Sequence, residues 1–558
     1  MPVPRSMLDP ESLGDVDLVL VAGVWPEGLG GEVFLATADQ RSAAGGHAFY
    51  GDGVVVRCSL RPGSFGAPGD RWAWRTAVID SPSSRLRTAR PEVFVPTAVG
   101  TSSPFGISNA SNTCPIPWGD RLFMAWDAGR PVEVDPVSLR WLGDLGHRDQ
   151  WQPAIDHPVL PLIATSAHPV IDPERGCMWT VTHDPITGVV AVVRSDDGGP
   201  ALQRWPLIDV HIPQSMHTIS QTASWLILAD CAFKPDPNEI FGLGPRSITT
   251  NATGPLYLVR KAELDETPGG RPVGALRFEF GPETMHFHAA YDDRHGIDLV
   301  IEQTNETDLA FWLELDDLDA NGSKVDPRLA GMYCHPMSAG GHGFVRIDPA
   351  ARTITEIGRL SDADRWWGTQ LSAVDWSPAG ILCPTRHHQV FSGWKPELTI
   401  DRALRIYAAA GRVDRSMLPS EEQPGMLVSI DRATHRPAGE WAFSLEDYPC
   451  SPCFVPRPGG QPGGHDGWVI VPVLNDHRFR LEVFDAGSCS AGPVAVLAAP
   501  VGVTVPFLLH SVWMAAAAPA PDVDRLSFSD DVVADRLDVL HPELAECARQ
   551  VMRELADR

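Results

Sequence analysis

Short strand-like runs separated by turn residues occupy this chain along nearly its whole length. In a recurring unit, an alternating strand runs into an aspartate and a turn, and a second strand follows after a few polar residues. Because aspartate can cap its own turn, each unit predicts an antiparallel β-hairpin. The units lie at 132–143, 169–181, 345–358, 428–443 and 481–497. Hairpins repeated over 558 residues favour an all-β fold, and a closed propeller leaves fewer exposed strand edges than a series of sandwiches.

Helical periodicity is confined to the end of the chain. Leu544, Cys547, Val551 and Leu555 recur at helical spacing within residues 532–558. The chain has 50 glycines and 51 prolines, which suit many turns, and no Pro/Ser-rich linker that would divide it. We therefore expect one propeller domain at 1–531, followed by a C-terminal helical extension at 532–558 that packs on it.

Charge and hydropathy exclude several classes of protein. Lys and Arg number 45 against 71 Asp and Glu, a formal charge of −26 without a basic patch, so no nucleic-acid partner is expected. The longest apolar runs are too short or too rich in Gly and Pro for a membrane-spanning helix. Arg5 is the one basic residue among the first 25, which argues against a secretory signal. We expect a cytoplasmic protein, with weak peripheral contact to a membrane left open.

The ten cysteines are sparse and scattered, as is typical of a reducing compartment. Cys450 and Cys453 form a CxxC pair. Neither a second CxxC nor a helix start accompanies the pair, so we interpret both as structural thiols.

Four of the 19 histidines lie beside strands in apolar or small-residue surroundings: His168, His217, His286 and His510. They are 49, 69 and 224 residues apart, which matches no local metal motif. They would form one site only by converging from separate blades on the propeller axis. Imidazole suits iron, copper, nickel and zinc, but spacing alone leaves four separate structural histidines as the alternative.

Four further histidines are candidates on chemistry alone, and surface or loop positions are expected for them: His288, His342, His387 and His388. His387 and His388 are adjacent, so on a strand they point to opposite faces and at most one could face an axis.

The segments around the first four histidines resemble the iron-ligand segments of the carotenoid cleavage oxygenase family. This family includes lignostilbene dioxygenases and the retinal pigment epithelium isomerase. Counting back from Tyr291 places the third ligand at His286 and not at His288. The resembling segments are "TSAHPVIDP" (165–173), "MHTISQT" (216–222), "MHFHAAYDD" (285–293) and "VPFLLHSVW" (505–513). Other segments extend the resemblance over most of the chain, among them "GVWPEGLGGEVFLA" (23–36) and "HAFYGDGVVVRCSL" (47–60).

The resemblance implies a seven-bladed β-propeller with one non-haem Fe(2+) per chain at its axis, under a cap of loops and helices. The metal ligands it implies are His168, His217, His286 and His510. It also implies a dioxygenase that uses O2 to cleave a C=C double bond of an apolar, carotenoid- or apocarotenoid-like substrate to aldehyde or ketone products.

The family also uses three glutamates to orient its ligand histidines, and here the pattern departs. Asp127 stands in place of the first glutamate, Glu397 in "PELTI" aligns loosely with the second, and Ser451 replaces the third. Loss of such partners typically costs about 10–100-fold in metal affinity or activity. Three alternatives to carotenoid-type cleavage therefore remain. They are a stilbene-like or other alkene substrate, an isomerisation, and a non-catalytic binding propeller with an altered metal site. Lignostilbene-cleaving members have a lysine near the first glutamate, whereas Trp126 precedes Asp127 here.

Overall fold

Antiparallel β-sheet dominates the structure, which is a computed structural model. It describes residues 14–556 except 44, 98–99, 185–186, 235, 237, 239–242, 282–283 and 304–305. Residues 1–13 and 557–558 of the expected domain and extension lie outside the described residues. The expected all-β class, with few helices, is confirmed.

The strands are short and evenly distributed along the chain. They are β1 (Val16–Gly23), β2 (Glu32–Asp39), β3 (Asp52–Ser59), β4 (Arg71–Val78), β5 (Val95–Thr97), β6 (Gly100–Ser103), β7 (Gly106–Ile107), β8 (Cys114–Trp118), β9 (Arg121–Trp126), β10 (Gly129–Val134), β11 (Trp141–Asp144), β12 (Val170–Ile171), β13 (Met178–His183), β14 (Val190–Ser195), β15 (Gln203–Ile208), β16 (Ile219–Gln221), β17 (Trp225–Ala229), β18 (Gly254–Arg260), β19 (Val273–Gly274), β20 (Leu276–Phe280), β21 (His286–Ala289), β22 (Ile297–Gln303), β23 (Gly341–Asp348), β24 (Thr353–Ser361), β25 (Gln370–Ala373), β26 (Arg386–Phe391), β27 (Met426–Asp431), β28 (Arg436–Ala442), β29 (Tyr448–Pro449), β30 (Cys453–Pro456), β31 (Gly467–Leu474), β32 (Arg480–Asp485), β33 (Pro493–Ala498) and β34 (Ser511–Met514).

Helices are fewer and mostly short. The α-helices are α1 (Pro82–Ala89), α2 (Arg148–Trp151), α3 (Lys261–Glu266), α4 (Pro378–Leu382), α5 (Asp401–Ala409), α6 (Phe528–Asp531) and α7 (Pro542–Ala556). Single 3-10 turns lie at Gln40–Ala43, Ala48–Tyr50, Ser64–Gly66, Pro91–Val93, Pro327–Leu329, Pro396–Leu398, Arg415–Met417, Cys489–Ala491 and Ala534–Val539.

Consecutive strands pair into separate sheets. The orders are β11-β10-β9-β8, β12-β13-β14-β15-β19, β16-β17-β18-β20, β21-β22-β23-β24, β25-β26-β27-β28 and β5-β6-β7. A ten-stranded sheet has the order β29-β31-β32-β33-β1-β4-β3-β2-β34, with β30 also paired to β31. Since β1 bonds to β33 and β2 bonds to β34, strands from the two ends of the chain share one sheet.

Apolar side chains from these sheets form a series of buried clusters. The largest cluster joins the ten-stranded sheet to the C-terminal helix α7, whose Leu544, Ala548, Val551 and Leu555 are buried in it. Three of these residues belong to the helical pattern seen in the sequence, and its fourth member, Cys547, is half-buried against the same cluster. The opposite face of the helix is exposed. Within the described residues, no helix is both long and apolar enough to cross a membrane.

Cys450 and Cys453 are unpaired, buried thiols. Burial raises the pKa of each to about 12, so neither thiol ionises near neutral pH. The interpretation of this pair as structural is confirmed.

His388 provides a test of how buried histidines govern acid stability. It is fully buried, with Nδ1 2.7 Å from Ser429 Oγ and Nε2 2.6 Å from the Gly464 carbonyl oxygen. Burial lowers its pKa to about 3. As pH falls below about 6.5, the histidine takes up a proton in the unfolded chain but not in the folded protein. The free energy of unfolding therefore falls by about 1.4 kcal/mol per pH unit.

We expect the urea midpoint of the wild type to fall more steeply between pH 7 and pH 5 than that of His388→Gln. The variant lowers stability at pH 7 but removes this one titration. Equal slopes in the two proteins would contradict the assignment.

Candidate metal centre

Each of the four predicted histidines lies at the start of an edge strand in a different sheet. His168 precedes β12, His217 precedes β16, His286 is the first residue of β21, and His510 immediately precedes β34. A parallel bridge joins His168 to Thr218, which links the first two segments directly. Sheets that are far apart in sequence therefore present their histidines at one point.

The structure brings the four imidazoles together. His217 Nε2 is 3.3 Å from His168 Nε2 and 3.3 Å from His286 Nε2. The His510 ring centroid is 4.4 Å from that of His168 and 4.8 Å from that of His286. One nitrogen of each ring lies within 4.8 Å of those of the other three. Four nitrogens this close can surround one ion.

Three of these imidazoles favour the neutral form, which is the form that binds metals. Burial, reinforced by the neighbouring imidazoles, lowers the pKa of His168 and His510 well below the usual value. Burial also lowers the pKa of His286.

Asp127 orients His217. Its carboxylate oxygens lie 2.8 and 3.0 Å from His217 Nδ1. Because a carboxylate only accepts hydrogen bonds, Nδ1 carries the proton and Nε2 keeps its lone pair toward the other histidines. The same carboxylate accepts a bond from the Ala167 N–H at 3.2 Å, so Asp127 also fixes the segment that carries His168.

Glu302 lies beside His286 and was not found from the sequence. It is the register partner of His286 across β21 and β22, and its Oε2 is 3.2 Å from His286 Nδ1. The side chain is fully buried. Burial raises the pKa of this carboxyl, but the surrounding imidazoles outweigh burial and hold the pKa well below its usual range. One sequence signal was available: a glutamate inside the apolar strand "IDLVIEQ" (297–303) that pairs with the histidine strand.

The other two predicted orienting residues lie elsewhere or differ in chemistry. Glu397 is half-buried in the 3-10 turn Pro396–Leu398, where its charge acts on Arg328 and Lys395; the carboxylate found beside His286 is Glu302. Ser451 is fully buried, and its hydroxyl has no hydrogen-bond partner within the described part of the chain. The neighbouring Pro452 carbonyl accepts a bond from Ser511 Oγ at 2.7 Å, which places this loop against the His510 segment.

Surface or loop positions were expected for four further histidines, and this expectation was wrong. His342, His387 and His388 are fully buried within strands, and His288 is half-buried in β21. The prediction that His387 and His388 point to opposite faces is confirmed: His387 Nε2 lies 3.3 Å from Glu302 Oε1, whereas His388 bonds to Ser429 and Gly464.

An apolar cavity opens onto three of the four histidines. Asp127, His217, His286 and His510 form part of its wall. The remaining wall is largely apolar and aromatic: Phe49, Trp126, Leu162, Met216, Phe233, Met285, Leu309, Tyr333, Leu371, Phe507 and Leu509. Such a wall suits a hydrophobic ligand held against the centre.

The residues present fit a divalent metal ion. Four neutral imidazoles supply nitrogen donors without cancelling the ion's charge. Asp127 and Glu302 contact two of these imidazoles, and their two negative charges would balance one divalent cation. Nothing in this donor set favours calcium or magnesium, which prefer oxygen ligands.

The fold and the site together define a class of all-β proteins with a four-histidine candidate metal centre facing an apolar cavity. The chain belongs to the retinal pigment epithelial membrane protein (RPE65) family, whose model matches residues 9–515. The family resemblance predicted from the four histidine segments is confirmed.

Relatives in this family include oxygenases with different substrates. The chain is 23% identical over 546 residues to resveratrol cleavage oxygenase 1 of Chaetomium globosum, covering 90% of this chain and 85% of that protein. It is 23% identical to the chloroplastic carotenoid cleavage dioxygenase 7 of Oryza sativa subsp. japonica, covering 73% and 72%. The structure of a cobalt-substituted Synechocystis ACO matches with a TM-score of 0.60 at 18% identity, covering 91% and 99%; this likeness establishes the shared fold.

Proposed function

We propose that this protein is an Fe(2+)- and O2-dependent dioxygenase that cleaves a C=C double bond of an apolar, apocarotenoid-like substrate into two carbonyl products. The observation that supports this most strongly is the convergence of four imidazoles beside an apolar cavity, with three of them in its wall. The names of the relatives, which are cleavage oxygenases, support the same reaction class.

His168, His217, His286 and His510 would hold the iron. Iron bound there would activate O2, which the organic groups of protein and substrate do not do by themselves. A six-coordinate ion with four imidazole ligands would keep two positions free for small molecules.

The chain's own groups have three tasks. Asp127 accepts a hydrogen bond from His217 Nδ1, and the Glu302 carboxylate lies 3.2 Å from His286 Nδ1, so that the Nε2 of each ring would face the ion. The cavity wall binds the hydrocarbon part of the substrate and excludes water. A histidine bound to the ion would have no free lone pair to act as a base, so we assign these four residues to positioning and not to proton transfer.

The architecture is part of the proposal. We infer seven blades by counting the ten-stranded sheet as two, joined through β1. The remaining four- and five-stranded sheets supply the other five. We likewise infer one domain through residue 531, with loops and short helices covering the centre and the helix α7 as an extension.

A stilbene-like substrate is the second candidate, favoured by the similarity to a resveratrol cleavage oxygenase over most of the chain. The Tyr333 hydroxyl in the cavity wall lies 2.5 Å from Thr369 Oγ1 and 3.3 Å from the Tyr448 hydroxyl, so the wall is polar at this point. Against this candidate, Trp126 and not a lysine precedes Asp127, and its buried ring forms part of the wall.

Product analysis tests the function and separates the two candidates. Iron-loaded protein is incubated under labelled O2 with an apocarotenal and, separately, with resveratrol, and the products are identified by mass spectrometry. We expect two carbonyl fragments that carry label from the apocarotenal, and slower or no cleavage of resveratrol. The reverse preference would support the stilbene candidate. An isomer of unchanged mass, or no product from either compound with iron bound, would contradict the proposal.

A further inference from the structure

A second cluster of metal-binding groups lies behind the four-histidine centre. His288, Glu302 and His387 each offer one ligand atom, and the three atoms lie within 4.8 Å of one another. His288 Nε2 and His387 Nε2 are both 3.3 Å from the same oxygen, Glu302 Oε1. Two imidazoles and one carboxylate form a donor set that commonly binds zinc.

Rigid strands hold these groups in place. His288 follows His286 by two residues in β21, so both point to the same face of the sheet. Glu302 is the register partner of His286 in the neighbouring strand β22, and His342 is the partner of Glu302 in β23. His387 approaches from β26 in the next sheet. The cluster therefore needs no loop to form.

The spacing fits shared coordination better than hydrogen bonding. With bonds of about 2.0–2.1 Å, the donors of a tetrahedral zinc ion are about 3.3–3.4 Å apart. Neither contact of Glu302 Oε1 has hydrogen-bond alignment, and both oxygens of this fully buried carboxylate lack a hydrogen-bond partner within the described residues. Buried charges are normally paired, hydrogen-bonded or bound to a metal.

Other buried atoms around the cluster are also without partners. His387 Nδ1 and both ring nitrogens of His342 have no hydrogen-bond partner within the described residues. The His342 and His387 ring centroids are 5.4 Å apart. A group of unpaired polar atoms in one buried place indicates that something else completes it.

Two contacts must change if an ion binds. Gln389 Oε1 lies 3.1 Å from His387 Nε2 and accepts a hydrogen bond from its N–H when the cluster is empty. Ser372 Oγ lies 3.3 Å from His288 Nε2. Metal binding displaces such protons from histidine ligands as a rule. The half-buried His288, at 18% side-chain exposure, gives the cluster its access to solvent.

We propose that His288, Glu302 and His387 form a second metal site for a divalent ion of the zinc type, with Glu302 shared between this site and His286. Glu302 directs Oε1 to the second site and Oε2 to His286 Nδ1. An ion there would thus be coupled to the orientation of a ligand of the first centre. The proposal concerns binding only and does not depend on the cleavage reaction.

Zinc stoichiometry of the metal-free protein tests the site. The protein is titrated with Zn2+, freed of unbound ion by gel filtration, and analysed by mass spectrometry for zinc per chain. We expect two equivalents for the wild type, one for His387→Gln and one for His288→Gln. His388→Gln, a buried neighbour in the same strand that points the other way, should keep two.

Folding is checked by circular dichroism, and one retained equivalent in either variant shows an intact first centre. If the wild type binds one equivalent that is lost on His510→Ala, the cluster is only a polar network and the proposal is overturned. Zinc content that is unchanged in both His387→Gln and His288→Gln would overturn it equally. A single equivalent that survives His510→Ala but is lost in His387→Gln would support it.

Discussion

Replacing His510 with alanine is expected to remove bound iron and cleavage activity together. His510 is half-buried, and its ring lies against those of both His168 and His286, so the substitution opens one side of the cluster. Three imidazoles bind an ion less tightly than four, and the alanine leaves a gap that water can enter. We expect activity to fall by more than about 100-fold, the upper range for loss of an outer-shell partner.

Two measurements report the result: the iron content per chain after removal of unbound metal, and the turnover of an apocarotenal. His388→Gln is the control, since His388 is a buried histidine that bonds away from the centre; it should keep its iron. If His510→Ala retained both iron and turnover, the four-ligand assignment would be wrong.

Asp127→Asn is expected to weaken metal binding by about 10–100-fold. The asparagine amide can occupy the same space, but it lacks the negative charge that faces His217 Nδ1. It can also present an N–H to that nitrogen, which favours the wrong tautomer. Asp127→Glu, which restores the charge on a longer side chain, should recover part of the loss.

Competition with a chelator gives the iron affinity of each variant, and kcat and KM show whether substrate binding is also affected. Ser451→Ala is the comparison, because the hydroxyl it removes has no hydrogen-bond partner within the described residues; we expect an affinity within about twofold of wild type. Wild-type affinity in Asp127→Asn would show that this carboxylate does not orient His217.

The sequence predicted the class of fold and singled out four histidines that the structure brings together, for identifiable physical reasons. Alternation and Asp turns are local properties, so the hairpin units near 132–143 and 345–358 could be recognised without knowing their neighbours. The four histidine segments carry enough distinctive residues to be matched to a family, and the choice of His286 over His288 agrees with the position of His286 among the four rings.

The surroundings of the histidines were harder to predict because they depend on strand register. Glu302 reaches His286 only through the pairing of β21 with β22, which a linear pattern does not specify. Glu397 was selected from a loose alignment, but it lies in a 3-10 turn where Arg328 and Lys395 act on it. His342 and His387 are likewise buried because neighbouring sheets pack together. The strand propensity of a segment does not show which sheets will pack against it.

X-ray absorption of iron-loaded protein tests the central claim most directly, because it reports the atoms bound to the metal. The account predicts one iron per chain with a coordination shell dominated by imidazole nitrogens, changed in His510→Ala and unchanged in His388→Gln. A shell of oxygen donors with little imidazole, or a spectrum that His510→Ala leaves unaltered, would contradict it.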